Sequence, residues 1–301
     1  MATRWTSKHT GQKIDDTIDY VCNPNLLDNC YFGNPVNQRG QMSYTAAGYG
    51  IDRWRIGSAG TLTIEDGYIT FASSDATLRN IEQVLETLEV GKYTISLLAE
   101  NAAGTNLIIG LVSGFTSATI STNEKQVVSL TFDVTTKTSG TVYIQTGNSQ
   151  IKLYAAKLEL GSQQTLAHRD ADGNWVLNEI PDYGEQLARC QRHQLRVGYK
   201  EDSIYSPVLA TGVAVSSASI RALIPTPVTM RENPVISFFG SDTISTIHAI
   251  GNGVSLTPTA IDARVNSNGI FLNLTVSGAT VNETYAITLD HARGLMLNAN
   301  L

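Results

Sequence analysis

The chain has 301 residues, 42% of them hydrophobic and 16% charged, with 21 Lys and Arg against 27 Asp and Glu and a net charge of −6. That length fits two domains, and an acidic chain with no Lys/Arg cluster excludes phosphate-backbone recognition, whose affinity comes from counterion release. No apolar run approaches the roughly 18 residues that span a bilayer, and the opening MATRWTSKHTGQKIDD lacks an apolar signal core, so a soluble chain made in a cytoplasm is expected.

In chain order, residues 10–22 (TGQKIDDTIDYVC) place Ile14, Ile18 and Val21 on one helical stripe, with Thr10 as N-cap. Three turns with so narrow a stripe are marginal alone. Two readings follow: an attachment and oligomerisation helix that packs against copies of itself, or an amphipathic arm lying on the next domain. Residues 23–162 then change to short apolar runs separated by Gly, Asn, Asp and Ser. About eight strand candidates predict a β-sandwich jelly roll. Within them Leu78, Ile81, Leu85 and Leu88 recur with helical spacing, which predicts a helical turn before Gly91. Along Ile151–Leu160 the apolar character changes face near Ala155, a pattern expected of a β-bulge.

Residues 163–194 form a polar linker and a short helix. Asp172-Gly173 marks a turn, Trp175-Val176-Leu177 a patch that docks onto a neighbour, and Pro181 introduces a helix on which Tyr183, Leu187 and Cys190 share a stripe. This repeats the N-terminal geometry, so Ile14, Ile18, Val21, Tyr183, Leu187 and Cys190 together form a candidate oligomer seam. Residues 195–301 alternate again, with Pro225, Pro227, Pro234 and Pro258 where strands end, and predict a second β-sandwich. The fold class is therefore mainly β, with an N-terminal helix, a jelly roll, a linker with a short helix and a C-terminal sandwich.

Chemistry is sparse. The five histidines form no HExxH or HxH pair, and no GxSxG elbow, Walker loop or dinucleotide fingerprint occurs. Acidic residues are scattered on turns and predicted helix faces, so no pair can be assigned to glycoside hydrolysis, and a catalytic role is not expected. Cys22, Cys30 and Cys190 fit neither a metal knuckle nor a disulfide framework and read as small buried thiols. Asn273 and Asn282 open sequons that match by chance.

Four motifs of the first half carry a resemblance: NLLDNCYFGNPVNQRG (25–40), YGIDRW (49–54), GKYTISLLAE (91–100) and IKLYAAKLELGSQQT (151–165). They resemble tail-associated proteins of bacteriophages and prophages that carry a carbohydrate-binding-module-like jelly roll, similar to the galactose-binding fold. HTGQKIDDTID (9–19) resembles the N-terminal segment of such tail proteins, PDYGEQLARCQRHQ (181–194) the joint to a C-terminal tip, and ALIPTPVTMRENPVISF (222–238) a C-terminal fibre sandwich. The resemblance implies a noncatalytic, trimeric tail fibre or receptor-binding protein of a virion. Its N-terminus would meet other virion proteins and its body host cell-surface polysaccharide; a structural calcium is possible, but no acidic cluster places one. A head fibre or capsid decoration protein is the alternative, and a depolymerase a third.

Sugar recognition uses exposed aromatic platforms with polar groups at their rim. Tyr31, Tyr44, Tyr49, Trp54 and Tyr68 are the aromatic candidates of the first half. Trp54, between Ile51 and Ile56, is expected in the core, whereas Tyr44 and Tyr49 in SYTAAGYG are expected at the surface. In the second half the candidates are Tyr199 and Tyr205, with Asn252, Asn266 and Asn268 in loops. In the jelly roll the opening and closing motifs are expected to pair, with Leu26 and Leu27 entering the core.

Overall fold

The computed structural model describes residues 10–11, 23–57, 60–73, 78–147, 149–198, 208–238, 243–266, 269–290 and 294–300. The N-terminal stripe of Ile14, Ile18 and Val21, together with Cys22, Tyr199, Tyr205 and Asn268, lies outside them. The described chain is mainly β, with one short α-helix, and divides into two compact units, Met1–Tyr183 and Gly184–Leu301.

The first unit is a sandwich of two six-stranded antiparallel sheets. Sheet A has the order β1 (Ser43–Tyr44), β4 (Thr61–Glu65), β5 (Tyr68–Ala72), β12 (Gln150–Leu160), β7 (Gly91–Glu100), β10 (Gln126–Val134). Sheet B has the order β2 (Gly48–Tyr49), β3 (Arg55–Ile56), β6 (Arg79–Val84), β11 (Gly140–Thr146), β8 (Asn106–Leu111), β9 (Gly114–Thr119). From β5 onward the chain passes between the sheets at almost every step, which is the jelly-roll arrangement. The inward residues of both sheets form one core around Trp54, whose ring meets Phe32 edge-on at 5.3 Å. Trp54 is fully buried, as its apolar run predicts.

The strand β6 replaces the predicted helical turn. Its backbone pairs with β11 and sends Ile81 and Gln83 inward, with Leu85 following. The inward Gln83 is polar because it bonds the opening motif: its Oε1 accepts from Asp28 N and its Nε2 donates to Asp28 O, both at 2.8 Å. Arg53 completes this buried knot, with Nε 2.9 Å from Asp28 Oδ2 and Nη2 2.8 Å from Val84 O. Asn29, in the left-handed region at φ 51°, donates to Val36 O and Asp52 O, while Trp54 Nε1 donates to Asn29 O. The polar side chains of this knot thereby keep partners, which burial requires.

The opening and closing motifs pair as expected. β5 accompanies β12 only as far as Leu153, where a register shift between Leu153 and Ala155 marks the bulge. Beyond it the opening segment takes the vacated edge, with Leu26 N donating to Leu158 O, Ala156 N to Cys30 O and Phe32 N to Tyr154 O. Leu27 enters the core, but Leu26 stays 40% exposed because alternation along this segment turns it outward. The stretch after β12 folds as a hairpin, β13 (Ala167–Arg169) and β14 (Trp175–Leu177), paired through Ala167–Leu177, His168–Val176 and Arg169–Trp175.

The helix α1 (Tyr183–Gln191), which Pro181 precedes, starts at the last residue of the first unit and runs into the second, which contains two sheets. One has the order β15 (Gln194–Val197), β24 (Leu295–Asn298), β18 (Val235–Phe238). The other runs β20 (Val254–Leu256), β19 (Ile247–Gly251), β23 (Thr284–Leu289), β16 (Val208–Ser216), β17 (Ser219–Ile224), β22 (Gly269–Thr275), β21 (Ala260–Asn266). They enclose a second apolar core around Tyr285, Ile220, Ile270, Leu274 and Leu297. Prolines 225, 227 and 234 fall between β17 and β18, outside the ladders, where a missing N–H costs nothing.

Candidate functional site

The two outer faces of the first unit are built differently. On sheet A, Leu98 and Ala155 are covered by Leu166 and Ala167, with Trp175 and Leu177 of the hairpin packed alongside. Beneath this strap lies a buried ion pair: Lys157 Nζ stands 3.3 Å from Glu159 Oε2 and 2.6 Å from Thr165 Oγ1, while Thr165 N donates to Glu159 Oε1 at 2.8 Å. The cleft left beside it, lined by Cys30, Tyr31, Lys157, Thr165 and Glu179 among others, measures ≈ 20 Å³, room for one water and no sugar. Beside the strap on the same sheet, the Tyr68 and Tyr154 rings lie 5.6 Å apart, Tyr154 packing against the strap cluster. Lys125 and Lys152 cap their faces at 4.1 and 5.4 Å. Glu100 accepts from Tyr154 Oη at 2.6 Å and from Lys152 at 3.0 Å. Those bonds hold the Glu100 carboxyl below its usual range, while burial, then Glu100, push the Tyr154 phenol up. With its ring faces occupied by ammonium groups, this cluster is self-contained.

Sheet B presents the opposite arrangement. Alternation along its strands turns Ile56, Ile81, Val142, Ile144, Leu107 and Ile109 inward and leaves polar and aromatic residues outside. The registers align these outward residues into rows. One runs Tyr49–Arg55–Glu82–Tyr143–Ile108–Ser117 across six strands. A second runs Asn80–Gln145–Asn106–Thr119, and Phe115 stands opposite Gly110 in a third. At strand spacings of about 4.8 Å the first row is about 24 Å long. Phe115 is 76% exposed, and its ring lies 6.3 Å from that of Tyr143 at 56°. Beside this platform Glu82 faces Arg55 at 3.4 Å and accepts from Asn80 Nδ2 at 2.6 Å. Thr119 donates to Asn106 Oδ1 at 2.6 Å. The Tyr143 hydroxyl, the Gln145 amide and the Asn106 Nδ2 make no hydrogen bond among the described residues. An open aromatic surface rimmed by uncommitted hydroxyl and amide groups can stack a sugar ring and bond its hydroxyls.

The residues singled out by sequence fall in several places. Tyr49 begins the platform row, half-buried with the Arg39 guanidinium 5.5 Å from its ring centre, and burial raises its phenol. Tyr44 is not at the surface: it is 7% exposed, its hydroxyl donates to Asn37 Oδ1 at 2.5 Å, and burial pushes it up to about 12. The Gly-rich loop folds back, and Gly50 lies beside the Tyr44 ring. Tyr31 packs against the strap and Tyr68 joins the sheet A cluster. On α1, Tyr183 is 45% exposed and Leu187 half-buried, but Cys190 is fully buried within its own chain and cannot face an oligomer axis. Cys30 and Cys190 are both buried. Asn252 holds the β19–β20 turn at φ 48°, and Asn266 pairs with Gly269 at the end of β21. Tyr143, Phe115, Asn80 and Gln145 were not singled out. The signal for two of them was present in TVYIQT, where Val and Ile alternate with an outward Tyr and Gln.

Among the described residues no group of three or more His, Cys, Asp and Glu side chains could hold a metal ion, and no helix is long and apolar enough to cross a membrane. No family model and no curated protein matches the chain. Among solved structures, it is similar to the enzymatically active domain of tailspike protein 4 of bacteriophage CBA120, at 12% identity and a TM-score of 0.33 over 46% of this chain and 21% of that one. It is also similar to a CBM4 module at 18% identity and a TM-score of 0.33, over 44% of this chain and 99% of the module. A third likeness is to the N-terminal cellulose-binding domain of Cellulomonas fimi β-1,4-glucanase C, at 13% identity and a TM-score of 0.28, over 41% and 97%.

Proposed function

We propose that this chain is a noncatalytic component of a phage particle, a tail fibre or receptor-binding protein, that attaches to host cell-surface glycan through the open face of sheet B. The observation that carries the proposal is the platform itself: an exposed Phe115 beside Tyr143, with the Tyr143 hydroxyl, the Gln145 amide and Asn106 Nδ2 making no hydrogen bond among the described residues. The virion setting rests on the resemblance of the opening and closing motifs to phage tail proteins. A binding rather than hydrolytic role is supported by the row's single carboxylate, Glu82, since glycoside hydrolysis needs two across the scissile bond. Single sites of this kind are weak, and a homotrimer joined partly through the outward Tyr183 flank of α1 would multiply them into firm attachment.

The test is solid-phase binding of the purified chain to cell-surface polysaccharide, with light scattering for its size. Retention on the polysaccharide by a trimer, with no release of reducing ends, is the expected result. A folded chain that is retained on none of a broad polysaccharide panel overturns the reading and leaves a spacer role in the particle.

A further inference from the structure

Gly110 sits near the end of β8, between β11 and the edge strand β9, on the outward surface of sheet B. Its backbone is not in the left-handed region, so conformational freedom does not explain it. Glycine weakens a strand interior and is retained where something must approach the backbone closely. Here the approaching groups are the two platform rings: a Cβ on Gly110 would lie 2.9 Å from Phe115 Cε1 and 3.0 Å from Tyr143 Cε2. The rings come from β9 and β11, the strands on either side, and meet over the bare backbone. The charges in the adjoining row neutralise each other, since Arg55 and Glu82 stand 3.4 Å apart.

We propose that Gly110 is a specificity-determining residue: by leaving its side chain out it joins Phe115 and Tyr143 into one stacking surface, which with the neutralised Arg55–Glu82 pair selects uncharged polysaccharide over acidic polysaccharide. The inference rests on the glycan-binding reading above. An uncharged sugar ring presents C–H groups to the ring faces and hydroxyls to Gln145 and Asn106. A uronic acid must instead draw Arg55 away from Glu82, against a chain whose net charge is −6.

The experiment compares the full chain with Gly110→Ala on an array of uncharged and uronic-acid-bearing polysaccharides, with a thermal melt of each protein. The expected result is wild-type retention on uncharged polysaccharides and a roughly tenfold weaker affinity for Gly110→Ala with an unchanged or higher Tm, because alanine suits a strand better than glycine. Gly110→Ser should weaken binding likewise. Retention on uncharged polysaccharides that Gly110→Ala leaves intact overturns the inference and spares the glycan-binding reading; so does retention on acidic polysaccharides alone. A lower Tm with unchanged affinity assigns Gly110 to cross-strand packing only. Retention on nothing overturns the reading and the inference together.

Discussion

Sheets A and B of the first unit bury their inner faces in one core, yet their outer faces have opposite fates. On sheet A, Lys157 and Glu159 point outward from β12 and are roofed by the strap, with every bond turned toward the protein itself. On sheet B, Tyr143, Gln145 and Asn106 point outward with bonding capacity to spare. Both faces are rich in aromatic and charged residues, so composition does not separate them. Access does: the polar groups of the sheet A face lie under the strap, where Lys157 and Glu159 are paired and even the unpartnered Ser96 Oγ and Trp175 Nε1 are buried, whereas the unpaired groups of sheet B face solvent and are available to a ligand.

Four changes would break or sharpen this contrast. The largest effect is expected for Lys157→Ala, which strands Glu159 under the strap. Loss of about 3 kcal/mol in denaturant unfolding is expected, with the folded fraction still binding polysaccharide; lost binding by intact protein would show that the strapped face is the site. Next, Tyr143→Ala should weaken binding about tenfold, near 1.4 kcal/mol, in titration calorimetry while leaving the melting curve nearly in place. A smaller loss, about threefold, is expected for Glu82→Gln, which frees Arg55 but keeps a hydrogen-bonding group beside the platform; the same variant should bind acidic polysaccharide better than wild type.

The smallest effect concerns Glu100. Its folded pKa lies below the ordinary 4.5, so its contribution to stability is present above that value and is lost as the pH falls through the lower folded value. Between about pH 5 and pH 3 wild type should therefore lose slightly more stability than Glu100→Gln. Equal slopes in acid titrations of both proteins would mean that the Tyr154–Glu100–Lys152 cluster adds nothing to the sheet A face.

Much of this was legible in the sequence where local pattern and tertiary role agree. The strands, the bulge near Ala155 and the core position of Trp54 follow from alternation and turn chemistry, and the pairing of the opening and closing motifs from jelly-roll topology. Alternation failed at β6, where an inward Gln83 hides the period of two and Leu78, Ile81, Leu85 and Leu88 mimic a helix. Gln83 is inward because Asp28, 55 residues earlier, needs its amide, and no local window holds that fact. Tyr44 misled for a similar reason: a Gly-rich loop predicts exposure, but this loop turns its tyrosine onto Asn37. The platform was missed because Phe115, Tyr143 and Glu82 come from three separate strands, and only their register makes them neighbours.

The bulge in β12 has a consequence for how this chain can change over time. Before it, Ile151 and Leu153 face the core; after it, Ala156 and Leu158 do, so the strand changes phase by one residue. A chain shortened by one residue at Tyr154 or Ala155 would keep Ile151, Leu153, Ala156 and Leu158 on the core face in one unbroken alternation, whereas flattening the bulge at constant length would turn Lys157 and Glu159 toward Ile95 and Leu97. One codon can therefore be lost at the bulge without exchanging the faces of β12, whereas a codon lost elsewhere along the strand would exchange them, so length change in this region should be confined to Tyr154–Ala155.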